Sequence, residues 1–383
     1  MKILIALNSF KGSCSSLKAN KALKSGIPLY NPDDISTAFP LCDGGDGSIE
    51  SLQYHLNLTP VRLKTTDVLG RVITVAYLWD PVNSKAYIEL AAASGIARLG
   101  NQSNNILTSN TIGTGKLILH ALKKRPRSIV LLVGGSATND AGLGILHSLG
   151  IEFFNRQNQQ LAPVPSNLTH IRSIGTNSLY AVQDTRFEIW TDVTNLFTGT
   201  SGAVAIYSKQ KGATPSQQKK LEAGMLNFAK VIRNQFGVDL QKIPGTGAAG
   251  GVGGGMSGLL GAEIHHGTKK ILDLIKFENA VARHDIILTG EGALDQQTQY
   301  GKLVDGVLKT ARLHGKPVIG VCGQLSLTSA EIRRMGFLAA FSMVPGPVTL
   351  DYAKNHTPRL LKDFGKNLKA VLDFNYSSSS RSE

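Results

Sequence analysis

The sequence SIVLLVGGSATNDAG, residues 128–142, decides the fold class of this chain. An apolar run leads directly into a turn rich in Gly, Ser and Thr that ends in Asn139 and Asp140. A continuous apolar run of this length is typical of a strand covered on both faces, as in a parallel sheet. The turn after it offers backbone N–H groups and side-chain oxygens, which suit a phosphate group and its Mg²⁺.

Similar runs recur along the chain and alternate with amphipathic segments. The other strand-like runs are ILIAL (residues 3–7), DIILTG (285–290) and PVIGVCG (317–323). Predicted helices cover residues 15–24, 47–55, 111–124, 301–313 and 352–372. Alternating strands and helices of this kind predict an α/β fold.

A second pattern appears where RVITVAYLWD (71–80) and SKAYIELAAASG (84–95) flank a Pro-Val-Asn turn. These alternating strands predict an antiparallel hairpin, so the sheet arrangement changes here. A length of 383 residues fits two domains at roughly 150 residues each. We predict a discontinuous first domain (1–82 and 285–376), an inserted second domain (83–284) and a disordered tail (377–383).

Composition indicates a cytoplasmic protein with small anionic ligands. The net charge is +14, but its basic residues are scattered, and no nucleic-acid motif or membrane-length apolar run is present. Only five apolar residues separate Lys2 from Asn8, too few for a signal peptide. Three widely spaced cysteines fit a reducing compartment. We therefore expect neither a nucleic-acid nor a membrane partner, although binding of nucleic acid driven by charge remains an alternative.

Four further polar turns follow or precede predicted elements. They are NSFKGS (8–13), DGGDGS (43–48), WTDVTN (190–195) and TGEGALDQQT (289–298). A lysine at the carboxyl edge of a sheet suits an anion, and neighbouring carboxylates suit a metal or a hydroxyl proton. Each turn alone could be a helix cap or an Asx-turn, but together they are what a site between two α/β domains would look like.

Other chemistries find little support in the sequence. TIGTGKL (111–117) is not a P-loop, and GGSAT is not a hydrolase elbow. PGTGAAGGVGGGMSG (244–258) contains a formal GxGxxG but lacks the strand and acidic residue of a dinucleotide site, so its glycines indicate either ligand approach or tight helix packing. The adjacent pair His265 and His266 should diverge, which makes a zinc site improbable.

The ordered motifs, taken together, resemble those of the bacterial type I glycerate kinase family over nearly the whole chain. The matching motifs are NSFKGS, DGGDGS, LGR (69–71), IELAAASGI (88–96), GTGKLI (113–118), VGGSATNDAG, DVTN, QKGA (210–213), PGTGAAGGVGGG and TGEGALDQQTQYGK. The resemblance implies an enzyme that phosphorylates glycerate with ATP and Mg²⁺. It also implies a Rossmann-like first domain and an inserted mixed-sheet domain that enclose a cleft.

Direct in-line transfer then assigns a role to each motif. Catalytic candidates are Lys11, Asp192 and Glu291, and substrate-binding candidates are Ser9, Lys11, Arg71, Asn195 and Thr298. Nucleotide or phosphate candidates are Gly134, Gly135, Ser136, Thr138, Asn139, Gly247, Gly250 and Gly251. Metal candidates are Asp43, Asp46 and Asp295. We expect a monomer or homodimer and favour the 2-hydroxyl of glycerate, with the 3-hydroxyl as the alternative.

Two positions depart from the family pattern. Asn8 stands where the family usually has Asp, and Ala293 stands where it commonly has Arg. Either change could alter rate or acceptor choice. A kinase of another small hydroxy acid and a non-catalytic sensor of nucleotide or hydroxy acid therefore remain open as alternatives.

Overall fold

A computed structural model describes residues 1–28, 33–100, 102–177, 182, 184–296 and 303–379, with residues 374–379 described by their backbone only. The strands are β1 Lys2–Leu7, β2 Ile35–Ala38, β3 Thr59–Thr66, β4 Val72–Asp80, β5 Lys85–Glu89, β6 Ser128–Leu132, β7 Glu152–Phe154, β8 Ser173–Gly175, β9 Arg186–Thr191, β10 Glu263–His266, β11 Ile286–Gly290, β12 Ala293–Leu294, β13 Val318–Cys322, β14 Gln324–Leu325 and β15 Ala339–Ser342.

The α-helices alternate with these strands, as the sequence predicted. They are α1 Ser16–Gly26, α2 Ser48–His55, α3 Ala91–Ser94, α4 Ile112–Leu122, α5 Leu143–Ser148, α6 Ala203–Tyr207, α7 Pro215–Phe236, α8 Ala248–Leu260, α9 Gly267–Leu274, α10 Phe277–Ala282, α11 Leu303–Leu313, α12 Ser329–Met335 and α13 Leu350–Ser379. Short 3₁₀ helices cover Ile96–Leu99, Pro165–Asn167, Lys209–Lys211 and Leu240–Lys242. None of the helices in the described part of the chain is long and apolar enough to cross a membrane.

Contacts divide the chain into two compact units. Unit 1 comprises Met1–Asp43, Glu50–Leu56 and Thr268–Glu383, and unit 2 comprises Gly44–Ile49 and Asn57–Gly267. The predicted limits differ from these because β3 and β4 continue the sheet that contains β5, so residues 57–82 lie in unit 2 rather than in the first domain. Helix α13 runs to Ser379, three residues into the predicted tail, and the residues after it lie outside the described part.

Unit 1 is built on a parallel sheet of order β2-β1-β11-β13-β15. Its strands alternate with helices, and the strand order reverses between β1 and β11. Buried Ile3, Ile5 and Leu7 of β1 share one apolar core with Leu23 of α1 and Leu361 of α13. In an open sheet of this doubly wound kind, ligands bind beyond the carboxyl ends of the strands where the order reverses.

Unit 2 is built on a mixed sheet of order β10-β9-β6-β5-β4-β3. The strands from β10 to β5 are parallel, and β5, β4 and β3 pair antiparallel, which confirms the predicted hairpin and mixed sheet. Strand β6 is buried along its whole length, as its apolar sequence requires. The segments after β5, β6 and β9 therefore all leave the sheet at its carboxyl edge.

Candidate functional site

A cavity of about 380 Å³ opens in unit 1 at the carboxyl edge of its sheet. The segments after β1, β11, β13 and β15 form it together with the start of α13. Its lining includes four predicted site residues, namely Ser9, Lys11, Glu291 and Asp295. A small hydroxy acid or a phosphate chain would fit a space of this size, because ligand pockets start at roughly 300 Å³.

Lys11 is one of two lysines that line this cavity, the other being Lys354, and it pairs with a predicted metal ligand. Its Nζ lies 3.1 Å from Oδ2 of Asp43, and its side chain is 73% exposed, whereas that of Asp43 is 24% exposed. The carboxylate of Asp43, more than that of Glu291, raises the pKa of Lys11 and outweighs the opposing effect of burial. The ammonium therefore stays charged at neutral pH and accessible to an anionic ligand.

The segment after β11 carries the carboxylates of the cavity. Backbone bonds from Gly323 and Gln324 to the Gly292 carbonyl hold this segment, and β12 pairs with β14 beside it. Glu291 and Asp295 are half-buried against the cavity. Thr298, the remaining candidate from this motif, lies outside the described residues.

The two departures from the family pattern occupy different surroundings. Asn8 is buried, and its Oδ1 accepts the N–H of Ser9 at 2.8 Å, so it shapes the loop rather than lining the cavity. Ala293 is exposed and lines the cavity, where its small side chain leaves room that an arginine would fill. Of the two departures, Ala293 is therefore the one that borders the cavity.

In unit 2, the turn at residues 134–140 (turn 134–140) lies against the turn at residues 44–49 (turn 44–49). The N–H of Gly134 donates to the Gly44 carbonyl at 3.0 Å, and a Cβ on Gly134 would lie 2.6 Å from Cα of Gly45. Gly134 is half-buried and Gly135 is exposed, but the rest of turn 134–140 is buried. The accessible part of this motif is thus its two glycines.

The side chains at the end of turn 134–140 point inward. Asp140 is fully buried and accepts bonds from the Thr111 N–H and hydroxyl and from the N–H groups of Gly142 and Gly144, while burial raises its pKa. The Thr138 hydroxyl and the Asn139 amide are buried and have no hydrogen-bond partner among the residues that the structure describes. Sequence reasoning gave Thr138 and Asn139 direct contact with nucleotide, whereas their side chains here have no exposed surface.

Glu89, at the end of β5, is a polar residue that sequence reasoning missed. Its carboxylate accepts the N–H groups of Gly47 at 3.1 Å and Ile49 at 3.0 Å, which fixes turn 44–49. Burial, and to a smaller extent the charge of exposed Asp46, raises the pKa of Glu89 to about 7. Its place in the IELAAASGI motif, at the carboxyl end of a strand, was the available signal.

Lys211 is a second residue that sequence reasoning missed, although it lies in the QKGA motif. It is only 4% exposed, and its ammonium donates to Ser136 Oγ at 2.8 Å and to the Thr138 carbonyl at 2.7 Å. Burial lowers the pKa of Lys211 to about 7, with the charge of Asp140 acting in the opposite direction. A titratable cation therefore lies directly beneath turn 134–140.

Close packing explains the glycines of residues 244–258. A Cβ on Gly250 would lie 2.2 Å from the Thr138 carbonyl oxygen, and one on Gly251 would lie 2.5 Å from Met225 Cε. The N–H of Gly247 donates to the Asn195 carbonyl at 2.9 Å. Helix α8 also bends at residues 249–251, where φ is positive. Of the two explanations open at the sequence level, the structure supports tight packing, and the predicted phosphate contacts of Gly247, Gly250 and Gly251 stay a prediction.

Two further candidates already have protein partners. Asn195 accepts the Tyr207 hydroxyl proton at 2.6 Å and donates to the Ser201 carbonyl at 2.9 Å. Asp192, at the end of β9, has Oδ1 3.0 Å from Nδ1 of His266. The two adjacent histidines diverge as expected, but the sequence gave no sign that one of them reaches Asp192.

Arg71 is held within a local turn instead of being directed at a ligand. Its Nε donates to Asp67 at 2.7 Å, and its remaining nitrogens reach the Arg98 carbonyl and the Gln102 side chain. The side chain of Asp67 has no exposed surface. The side chain of Arg71 is still 47% exposed, so its contact with glycerate stays a prediction.

The predicted metal ligands do not form a cluster of three or more among the described residues. Within that part of the chain, no group of three or more His, Cys, Asp or Glu side chains could hold a metal ion. Of the three candidates, Asp295 nevertheless lines the unit 1 cavity, and Asp43 pairs with Lys11 of the same lining. Mg²⁺ is commonly held by one or two carboxylates, with water and substrate phosphate completing its shell, so these residues fit it.

Comparison with known proteins identifies the family. The model of the glycerate kinase family matches residues 3–373. Glycerate kinase of Bacillus subtilis strain 168 is 34% identical over 97% of this chain and 98% of its own, and glycerate 2-kinase of Escherichia coli K12 is 32% identical over 92% and 93%. A crystal structure assigned as glycerate kinase 2, from Salmonella typhimurium LT2, matches with a TM-score of 0.82 and 33% identity over 98% of this chain and 99% of its own.

These matches define the class of protein first: the chain is an α/β enzyme of the kinase type. It belongs to the glycerate kinase family. The resemblance seen in the sequence motifs is thereby confirmed.

Proposed function

We propose that this enzyme transfers the γ-phosphoryl group of ATP to a hydroxyl of D-glycerate in the presence of Mg²⁺. The observation that carries the proposal is the unit 1 cavity, which brings Ser9, Lys11, Glu291 and Asp295 to one sheet edge in a chain of the glycerate kinase family. Cation, carboxylates and hydroxyl are the groups that phosphoryl transfer requires.

Lys11 neutralises charge on the transferring group or on the glycerate carboxylate. Its side chain is mostly exposed, and the ion pair with Asp43 holds the ammonium in place. An incoming anion therefore meets a cation that is already oriented. Ser9 follows β1 directly and donates a hydrogen bond to the same ligand. Catalysis in this class comes mainly from positioning and charge neutralisation.

Glu291 is the leading general base, because it lines the same cavity as Lys11. It accepts the proton of the glycerate hydroxyl as that oxygen attacks phosphorus. Asp192 is the alternative base, and its partner His266 would hold the carboxylate in place. Asp295, with Asp43 and Asp46 as the other candidates, holds Mg²⁺, which when bound balances charge on the phosphate oxygens.

In unit 2, the turn that begins with Gly134 and Gly135 binds phosphate groups of the nucleotide. These glycines are the accessible part of turn 134–140 and follow the buried strand β6. The N–H of Gly134 already donates to the Gly44 carbonyl, so the phosphate is bound by the backbone from Gly135 onward, where the positive φ of that glycine directs N–H groups as in an anion-binding nest. Ser136, Thr138 and Asn139 support that turn from below.

We favour 2-phosphoglycerate as the product, with 3-phosphoglycerate as the alternative. The support is the name of the Escherichia coli relative, glycerate 2-kinase. We also propose that the enzyme works in the cytoplasm, where ATP and Mg²⁺ are supplied, as a monomer or homodimer.

The test is ATP consumption with D-glycerate and Mg²⁺, with the product passed to enolase. Immediate enolase turnover without a mutase establishes the 2-phosphate, whereas turnover that requires a mutase establishes the 3-phosphate. No ATP consumption with D-glycerate, while another small hydroxy acid is phosphorylated, contradicts the acceptor assignment. Binding of ATP without turnover on any acceptor contradicts the kinase itself and favours a sensor.

A further inference from the structure

Lys211 is a buried cation whose surroundings are built around its ammonium group. The Asn104 side chain donates both to the Lys211 carbonyl and to the Ala137 carbonyl, at 2.7 and 2.9 Å. Gly212, the next residue, has φ +90, which turns the chain sharply after the lysine. The backbone of Lys211 is thus tied to the segment that its side chain also reaches.

Among the residues that the structure describes, no carboxylate lies within 4 Å of this ammonium. The two groups that accept its hydrogen bonds, Ser136 Oγ and the Thr138 carbonyl, are neutral. Asp140 is the titratable group that acts on it, and four hydrogen bonds already occupy that carboxylate. Burying a cation without a close carboxylate is costly, so a lysine at this position requires a compensating interaction.

We propose that Lys211 is a positioning residue for the phosphate groups of the nucleotide. Its hydrogen bonds hold Ser136 and Thr138, so the exposed Gly135 keeps the backbone geometry that binds phosphate. Its ammonium lies beneath the turn, next to Ser136, and its positive charge compensates the negative charge of the ligand. This inference rests on the proposed function, in which turn 134–140 binds the nucleotide.

A proton-linked effect follows from this placement. Because burial lowers the pKa of Lys211 to about 7, the free protein at about pH 8 carries this lysine mainly in its neutral form. A phosphate dianion above the turn favours the charged form and raises that pKa. Nucleotide binding at about pH 8 should therefore take up a proton, whereas binding at about pH 6 should take up much less.

Calorimetric titration with Mg²⁺–ADP tests this, in buffers of different ionisation enthalpy. At about pH 8 the wild-type protein should take up roughly half a proton or more per site. Lys211→Met should take up none beyond the background and bind ADP about tenfold or more weakly, because the turn loses both the hydrogen bonds that hold it and the nearby positive charge. Lys209→Met, at an exposed lysine of the same short helix, is the matched control and should behave as wild type.

Lys211→Arg keeps the experiment decisive if the methionine variant does not fold. Arginine stays charged, so its proton uptake should vanish while part of the ADP affinity remains. Equal proton uptake in wild type and either variant would overturn the inference, as would unchanged ADP affinity in folded Lys211→Met. The same titration with 2-phosphoglycerate shows whether the phosphate near Lys211 belongs to the nucleotide or to the product. Proton uptake with 2-phosphoglycerate but not with ADP would overturn the nucleotide assignment.

ADP binding requires no acceptor, so this experiment is independent of the proposed reaction. A wild-type protein that fails to phosphorylate glycerate but takes up a proton with ADP retains the role of Lys211. An active kinase whose Lys211→Met variant binds ADP normally loses only this inference.

Discussion

The unit 1 cavity and the turns of unit 2 use similar residues at similar sheet edges, yet they expose them differently. In unit 1, Lys11 is mostly exposed and its neighbours line a ligand-sized space. In unit 2, Lys211, Glu89 and Asp140 are buried beneath glycine-rich turns. The difference teaches that a Gly, Asp, Ser and Thr motif can present polar groups to a ligand or use them to hold its own backbone.

The largest expected effect is on stability and concerns the close packing of glycines in unit 2. Gly250→Ala places a Cβ 2.2 Å from the Thr138 carbonyl oxygen at a residue with φ +69, so we expect a loss of roughly 2–5 kcal/mol in the free energy of unfolding. Gly261→Ala is the matched control, because φ is +63 there and nothing lies within 4 Å of the new Cβ. Chemical denaturation of both variants separates the clash from the backbone strain.

Equal destabilisation of the two glycine variants would contradict the packing explanation. It would mean that backbone conformation alone requires Gly250, and would reopen ligand approach as the reason for the glycines of residues 244–258.

The second effect is on catalysis and concerns the exposed lysine of the unit 1 cavity. Lys11→Ala should lower kcat/KM by about 10², because a charge that stabilises the transition state is lost. Stability should change by less than about 1 kcal/mol, since exposed ion pairs contribute little. Steady-state kinetics and thermal unfolding measure the two quantities, with exposed Lys18→Ala on α1 as the control. Unchanged kinetics would remove Lys11 from the active site.

The sequence predicted the architecture because strand and helix periodicity follows directly from burial on sheet faces and helix stripes. The apolar strands, the hairpin and the mixed second sheet were all readable in this way. Grouping of Ser9, Lys11, Glu291 and Asp295 was also predictable, since parallel strands end at one edge.

Other site residues could not be predicted, for two physical reasons. Lys211 and Glu89 act through contacts with segments far away in sequence, and local composition does not encode such contacts. Thr138 and Asn139 have polar side chains that composition assigns to a ligand, but turn geometry directs them inward. Burial of a polar turn depends on what packs over it, here the bend of α8 at Gly250.

The third effect tests a buried carboxylate of unit 2. Glu89→Gln leaves one of the N–H groups of Gly47 and Ile49 without its acceptor, which should cost about 1–2 kcal/mol at pH 4 to 5. The pKa of Glu89 is raised to about 7, above its unfolded value, so the wild-type protein loses stability as pH rises from about 4 to about 7. The variant lacks this loss.

The stability difference between wild type and Glu89→Gln should therefore shrink as pH increases towards 7. Denaturation curves at several pH values measure it, with exposed Glu50→Gln as the control. A difference independent of pH would show that Glu89 ionises normally in the folded protein.

The smallest effect concerns Arg71. Its substitution distinguishes a structural role of the side chain from a contact with substrate. Its guanidinium is engaged by Asp67 and the Arg98 carbonyl, so Arg71→Ala should cost about 1 kcal/mol of stability and change the KM for glycerate by less than about threefold. Asp67 still accepts the N–H groups of Leu69 and residue 71 in the variant, which limits the damage. A rise in KM for glycerate of tenfold or more, with normal stability, would instead mean that the exposed part of the guanidinium binds substrate. Unit 2 would then contribute an exposed cation of the kind that Lys11 provides in unit 1, and the contrast between the two regions would no longer hold.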